Sequence, residues 1–263
     1  MWQFREQPSR PTTRALNKYT GEKRDFEYLT ERTRLEPKDF PPAMRHSSWL
    51  HYVCSPTRAK VIATQLAPPL NPTPEWQPHR CFEPIPDRCV PAEMASLREI
   101  LPGLAVFSPN HEEAWAFYGV EVDEVARRGK AGVEEVGRKL RAEGATGHIV
   151  IRSGAWGAWC VDKEGKEVWV DAYHTNPQRV IDVTGAGNSF LGGLMAGLQL
   201  YPNDLITACQ CAAISASFII EQFGLPSLTT EMTASAELWN GSSPADRLTE
   251  MKARPNAAAA TLS

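Results

Sequence analysis

Residues 179–190 read Arg179-Val180-Ile181-Asp182-Val183-Thr184-Gly185-Ala186-Gly187-Asn188-Ser189-Phe190. A short apolar stretch delivers the chain to a Gly-Ala-Gly turn, and a helical pattern follows, with Phe190, Leu191, Leu194, Met195 and Leu198 on one stripe. The reading is a strand at 180–181, a turn, and a helix over about 185–200. Unpaired N–H groups and the positive end of the helix dipole converge at such a junction, and glycine lets an anion approach the backbone. The turn is a phosphate-binding device or, equally well on this motif alone, a close packing of helix on sheet. Spacing excludes two nucleotide-binding patterns. A dinucleotide fold needs G-x-G-x-x-G and an acid about 20 residues on. Here Phe190 takes the third glycine's place and Asp204 opens a helix. A Walker-type loop needs Gly-Lys-Ser/Thr, whereas Gly129-Lys130 and Gly165-Lys166 are followed by Ala and Glu.

Outward from the turn, strands and helices alternate. Residues 49–53 are strand-like, Ser55 and Pro56 open a helix to about 66, and 81–85 form a strand. Pro91 opens a helix through 100. The strand 104–107 runs into Ser108-Pro109, a cap followed by proline, and the helix so started ends near Gly119. A polar helix covers 132–143, a buried strand 148–152, and a hairpin joins 159–161 to 168–170 across Asp162 to Lys166. A last long helix runs from an Asn203 cap to Phe223, stopped by Gly224. This order argues for a mainly parallel sheet covered on both faces.

The 263 residues suffice for one large domain or two small ones, and 42% apolar with 22% charged residues is ordinary globular usage. Lys and Arg number 28 against 31 Asp and Glu, a net charge of −3 that gives no footprint for nucleic acid. The N-terminus lacks the apolar stretch of a leader, and the longest uncharged run, 205–220, is too short for a bilayer, so no membrane partner is expected. Cys54, Cys81, Cys89, Cys160, Cys209 and Cys211 show no metal-site spacing and read as reduced thiols of a cytoplasmic chain. Fourteen of the 21 prolines fall in the first 91 residues, and Gly21 is the one glycine before Gly103.

Three strings in order carry a family resemblance. Asp182-x-Thr184-Gly185-Ala186-Gly187-x-Ser189-Phe190 resembles the C-terminal signature of the PfkB (ribokinase-like) carbohydrate kinases. Asn110-His111-Glu112-Glu113 resembles that family's N-x-x-E motif, and Ile151-Arg152-Ser153-Gly154-Ala155-Trp156-Gly157 is similar to its strand-loop on the nucleotide. The resemblance covers roughly residues 49–239. Phe82-Glu83-Pro84-Ile85-Pro86-Asp87 and Ser108-Pro109-Asn110-His111-Glu112-Glu113 look most like the fungal, maintenance-of-killer-like branch. Arg14-Ala15-Leu16-Asn17-x-Tyr19 and Arg24-x-Phe26-x-Tyr28 resemble it more loosely.

The resemblance implies a ribokinase-like three-layer α/β/α fold and ATP-dependent transfer of the γ-phosphoryl group to a hydroxyl of a sugar or nucleoside, with ATP and Mg²⁺ as cofactors. Gly185, Ala186 and Gly187 would form the anion hole. Asn110 would contact the nucleotide phosphates and Glu113 would organise Mg²⁺ through water. Arg152, Ser153, Gly154 and Gly157 would line base and ribose, with Asp182 and Thr184 as further nucleotide contacts. The expected organisation is an irregular segment at 1–48, the nucleotide-binding core at 49–245 and a flexible tail at 246–263.

Two departures matter. Asn188 stands where the family usually has the aspartate that takes the proton from the sugar hydroxyl, and losing a general base costs ~10²–10⁴ in rate. The family's N-terminal Gly-Gly-x-x-x-N substrate motif is absent, so the fold is expected to be N-terminally truncated. The sheet edge so exposed invites a homodimer. Two readings stand: a kinase of weak activity, and a nucleotide-binding or scaffolding relative with the chemistry lost. Elsewhere, Glu112, Glu121, Asp123 and Glu124 read as solvated acids, His111 and His174 as surface histidines, and Cys209 and Cys211 as pointing to different helix faces. Trp156 and Trp159 suit either base stacking or the core.

Overall fold

The computed structural model describes residues 6, 8–20, 23–71, 73–230 and 237–254. The elements run β1 (Ala15–Thr20), β2 (Lys23–Tyr28), β3 (Trp49–Cys54), α1 (Pro56–Gln65), β4 (His79–Pro84), α2 (Met94–Ile100), β5 (Val106–Phe107), α3 (His111–Ala116), α4 (Val122–Ala142), β6 (His148–Arg152), β7 (Ala158–Val161), β8 (Glu167–Val170), α5 (Ala186–Leu200), α6 (Leu205–Ile219), β9 (Leu228–Thr230), β10 (Glu237–Trp239) and α7 (Pro244–Ala253). β3 to β8 form one six-stranded sheet in that order. β3, β4, β5 and β6 are parallel, and β7 and β8 fold back antiparallel as the hairpin expected from the sequence.

Strand alternation splits the core into two halves. Phe82, Phe107, Ile149 and Ile151 face a layer built by α1, α2, α3 and α4, while Cys81, Val106, Val150 and Cys160 face α5, α6 and α7. The result is the three-layer α/β/α architecture with a mainly parallel sheet. Leu191 and Leu194 of α5 are fully buried, each contributing roughly 1.5–3 kcal/mol. α5 packs on α6 at backbone distance: a Cβ at Gly197 would lie 2.7 Å from Ala208 Cα.

Several local expectations need correcting. No strand forms at 180–181. Ile181 and Val183 are 50% and 60% exposed, and the N–H groups of Ile181 and Asp182 donate to the Ile220 carbonyl instead of to a strand. Ser108 does not cap a helix, because its hydroxyl donates to the Val150 carbonyl and ties β5 to β6; Asn110 is the cap. Asp204 caps α6, not Asn203, its carboxylate accepting from the Thr207 N–H. α4 starts well before 132 and crosses a kink at Gly129. β1 and β2 pair antiparallel inside the segment expected to be irregular. α7, with Ser243 as cap, Pro244 in its first turn, and Arg247 and Met251 buried, occupies the start of the expected tail. The rest of that tail, 255–263, lies outside the described residues. Among the described residues no helix is long and apolar enough to cross a membrane, and no strand pairs the outer edge of β3.

Candidate functional site

The C-terminal ends of β4, β5 and β6 converge under the N-terminus of α5. β4 ends with Glu83-Pro84, β5 leads through Ser108 to Asn110, β6 ends at Arg152, and the 182–188 turn lies above them.

Asn110 and Glu113 form a reciprocal capping box on α3. Asn110 Oδ1 accepts the Glu113 N–H at 2.7 Å, and Glu113 Oε2 accepts the Asn110 N–H at 2.7 Å. The N-x-x-E string thus explains itself locally, and what remains for a ligand is the Asn110 amide nitrogen and the second Glu113 oxygen. Burial raises the Glu113 pKa to about 7, against the opposing pull of the Arg152 charge and the Asn110 N–H.

Arg152 is the hub. Its Nη1 lies 2.8 Å from Glu83 Oε1, and its Nη2 lies 3.4 Å from Glu113 Oε2 and donates to the Ser108 carbonyl at 3.2 Å. The second Glu83 oxygen is 3.1 Å from His51 Nε2 on β3. Burial works against ionisation of Glu83, but the His51 hydrogen bond and the Arg152 charge outweigh it and hold its pKa below the ordinary value. The guanidinium reaches the turn itself: a Cβ at Gly187 would sit 2.4 Å from Arg152 Nη1 and 3.4 Å from Glu83 Oε1. Any side chain at 187 would displace the guanidinium from that position.

The turn is open to solvent. Gly185 and Asn188 are exposed, Ala186 and Gly187 half-buried, and Gly185 takes a left-handed φ of 86°. The Ala186 N–H donates to the Val183 carbonyl and the Ser189 N–H to the Gly185 carbonyl. Among the described residues no acceptor takes the N–H groups of Gly185, Gly187 or Asn188. Of the expected anion hole, the Gly185 and Gly187 amides are therefore free, Asn188 adds a third, and the Ala186 amide is not one of them. Asp182 Oδ1 accepts the Thr184 N–H at 2.9 Å and shapes the turn.

The structure thus brings Asn110, Glu113, Arg152 and Gly187 together, and adds Glu83 and His51, which sequence reasoning missed. The available signal was an acid inside an apolar strand end, Cys81-Phe82-Glu83-Pro84. It does not bring in the Ser153 hydroxyl, which is buried and turns back to the Ile151 carbonyl. Gly154 lies exposed beyond it, and Gly157 closes that loop by accepting the Ser153 N–H. Trp159 is core, and Trp156 packs on the His111 ring with centroids 5.6 Å apart. His174 is not a surface histidine. Its side chain is 8% exposed and lies 3.0 Å from Glu221, which also pairs with Arg247 at 2.8 Å. That cluster holds the end of α6, whose Ile220 carbonyl anchors the turn.

No group of three or more His, Cys, Asp or Glu side chains among the described residues could hold a metal ion alone. A Mg²⁺ bound chiefly by phosphates and water needs only one or two carboxylates, and the buried Glu113 fits that limited part.

The chain is 28% identical to an uncharacterised protein of Schizosaccharomyces pombe, over 94% of this chain and 72% of that one. It is 29% identical to the MAK32 protein of Saccharomyces cerevisiae, over 93% and 70%. Among solved structures it is similar to Arabidopsis thaliana ribokinase complexed with ribose and ATP, with a TM-score of 0.60 at 13% identity, covering 93% of this chain and 70% of that one. Anopheles gambiae adenosine kinase in complex with P1,P4-di(adenosine-5) tetraphosphate matches with a TM-score of 0.56 at 20% identity, over 86% and 69%. The family model described as pfkB family carbohydrate kinase matches residues 78–231, and with the ribokinase-like fold and the turn at 182–188 this places the chain in the pfkB carbohydrate kinase family.

Proposed function

We propose that this chain binds ATP at the 182–188 turn and transfers its γ-phosphoryl group, slowly, to a hydroxyl of a sugar or nucleoside. The observation that carries the reading is the pair of amides on half-buried Gly187 and exposed Asn188, which no acceptor among the described residues takes and which lie beside the Arg152 guanidinium. Amides and a fixed cation supply what phosphoryl transfer chiefly needs, which is positioning and charge neutralisation. Asn110 would offer its amide nitrogen to the phosphates. Glu113 would hold Mg²⁺ through water, and the ion would neutralise phosphate charge. Gly154 and Gly157 would leave room for base and ribose, with Asp182 and Thr184 fixing the turn. Six free cysteines support a reducing, cytoplasmic site of action, and the edge of β3, which no strand among the described residues pairs, supports a homodimer, which sedimentation velocity would detect.

One observation favours a second reading. Asn188 is exposed at the position where the family usually has its base, and an amide accepts no proton at neutral pH. A nucleotide-binding member that has lost transfer would look the same. Calorimetry with Mg-ATP tests both readings at once, since heat of binding is expected and its absence overturns both. A panel of sugars and nucleosides then separates them, because turnover by the natural chain supports the kinase and turnover only in Asn188→Asp supports the lost chemistry.

A further inference from the structure

We propose that Arg152 is a phosphate-binding residue, its guanidinium set behind the Gly187 and Asn188 amides to take an oxygen of the terminal phosphoryl group of a nucleoside triphosphate. This deepens the reading above and rests on it. It also replaces the role that family resemblance implied for Arg152, the lining of base and ribose.

Three observations converge on the guanidinium. First, Arg152 Nε is buried and has no acceptor among the described residues, although Nη1 and Nη2 are both engaged. A buried donor without an acceptor is costly, and arginine presents its donors in a rigid fork suited to phosphate oxygens. Second, the guanidinium sits against the N-terminus of α5, the positive end of that helix. Glu83 Oε1 and Glu113 Oε2 occupy Nη1 and Nη2, Glu83 Oε1 itself lying 3.4 Å from a Cβ built at Gly187, and Nε is the donor they leave for a further negative group. Third, Gly187 is the residue whose side chain would occupy that meeting point, and it has none. A purely structural ion pair would not need to press against a helix N-terminus whose amides are themselves without acceptors.

The test is calorimetric titration of Mg-ATP and Mg-ADP into the natural chain, Arg152→Gln and Arg152→Lys. Arg152→Gln is expected to weaken Mg-ATP roughly 10- to 100-fold while Mg-ADP stays within about two-fold. Arg152→Lys is expected to recover part of the ATP affinity, because it restores charge without the fork. Equal losses for ATP and ADP, or an unchanged ATP affinity, overturn the proposal. If Arg152→Gln does not fold because Glu83 is left buried without its cation, the same comparison in Glu83→Gln/Arg152→Gln decides it. Failure of the ATP-binding reading is distinguishable, because it appears in the natural chain as absence of binding to either nucleotide.

Discussion

Asn110 and Glu113 each close the other's backbone N–H, at 2.7 Å in both directions, and Arg152 lies 3.4 Å from the same Glu113 oxygen that serves the cap. Helix initiation and the charge state of the site therefore share one atom. Whatever protonates Glu113 alters the fixed charge around Arg152 as well as the start of α3.

That sharing sets a pH dependence. Glu113 titrates near 4.5 when unfolded and near 7 when folded, raised chiefly by burial. Between these values the folded chain holds more protons, so the stabilisation is fully present below about pH 4.5 and is lost as pH rises through 7. Glu113→Gln keeps a carbonyl oxygen for the Asn110 N–H and removes the titration. Relative to the natural chain, the variant is expected to gain on the order of 1–3 kcal/mol between pH 5 and pH 8 in urea denaturation. Parallel pH profiles for the two proteins would defeat the assignment.

Two glycines of α5 make a matched pair. A methyl at Gly187 would meet Arg152 Nη1 at 2.4 Å, whereas a methyl at Gly192 would meet nothing within 4 Å. The obstructing atom ends a flexible side chain, so Gly187→Ala is expected to displace the guanidinium at a cost of about 1 kcal/mol and to lose most Mg-ATP affinity. Gly192→Ala is expected to gain about 0.5–1 kcal/mol by helix propensity and to bind ATP normally. Thermal melts and calorimetry on both variants check this, and equal binding by the two would remove Arg152 from the phosphate site.

Much of this arrangement was legible in the sequence, and the rest was hidden for physical reasons. The β6 run Ile149-Val150-Ile151 and the Leu191, Leu194, Leu198 stripe announce themselves because burial demands apolar side chains at periodic positions. The Val180-Ile181 pair is equally strand-like in sequence but stays outside the sheet, since no strand among the described residues pairs with it and the Ile220 carbonyl takes the N–H of Ile181. Asn203 and Asp204 are both cap residues, and only the geometry relative to Thr207 selects Asp204. The Glu83–Arg152 pair was out of reach because it joins two strands through side chains, and a single sequence records no such pairing. The N-x-x-E string carries two meanings at once, a site motif and a capping box, and only the structure shows the second.

Arg247 should matter more for folding than any surface pair. Its side chain is 5% exposed, pairs with Glu221 at 2.8 Å, donates to Ser217 Oγ at 2.7 Å, and lies 3.7 Å from the Phe218 ring centroid. Burial opposes ionisation of Glu221, but the Asn240 hydrogen bond and Arg247 together keep its pKa below the ordinary value. Arg247→Leu leaves that carboxylate with only the more distant Arg179, at 3.6 Å, as a permanent cation, and a loss of about 3 kcal/mol in urea denaturation is expected. Glu250→Ala, which breaks an exposed pair with Arg254 and a hydrogen bond from the Tyr173 hydroxyl, is expected to cost no more than about 1.5 kcal/mol. Similar midpoints for the two variants would show that the Glu221 cluster does not stabilise the end of α6.

Asn188 is the third residue of α5, exposed, with its amide among the N–H groups that no acceptor takes. A carboxylate there faces the positive end of the helix, so Asn188→Asp is expected to stabilise the chain by about 0.3–1 kcal/mol without nucleotide. With Mg-ATP bound, the same charge stands close to the phosphates, and the affinity for ATP is expected to fall. If an acceptor hydroxyl reaches position 188, the new base should raise transfer by ~10²–10⁴. Stability, affinity and rate thus move separately, and measuring all of them in one variant distinguishes a base position from an ordinary helix start. A variant that is stabilised but shows no change in ATP affinity would mean that the phosphates do not approach residue 188.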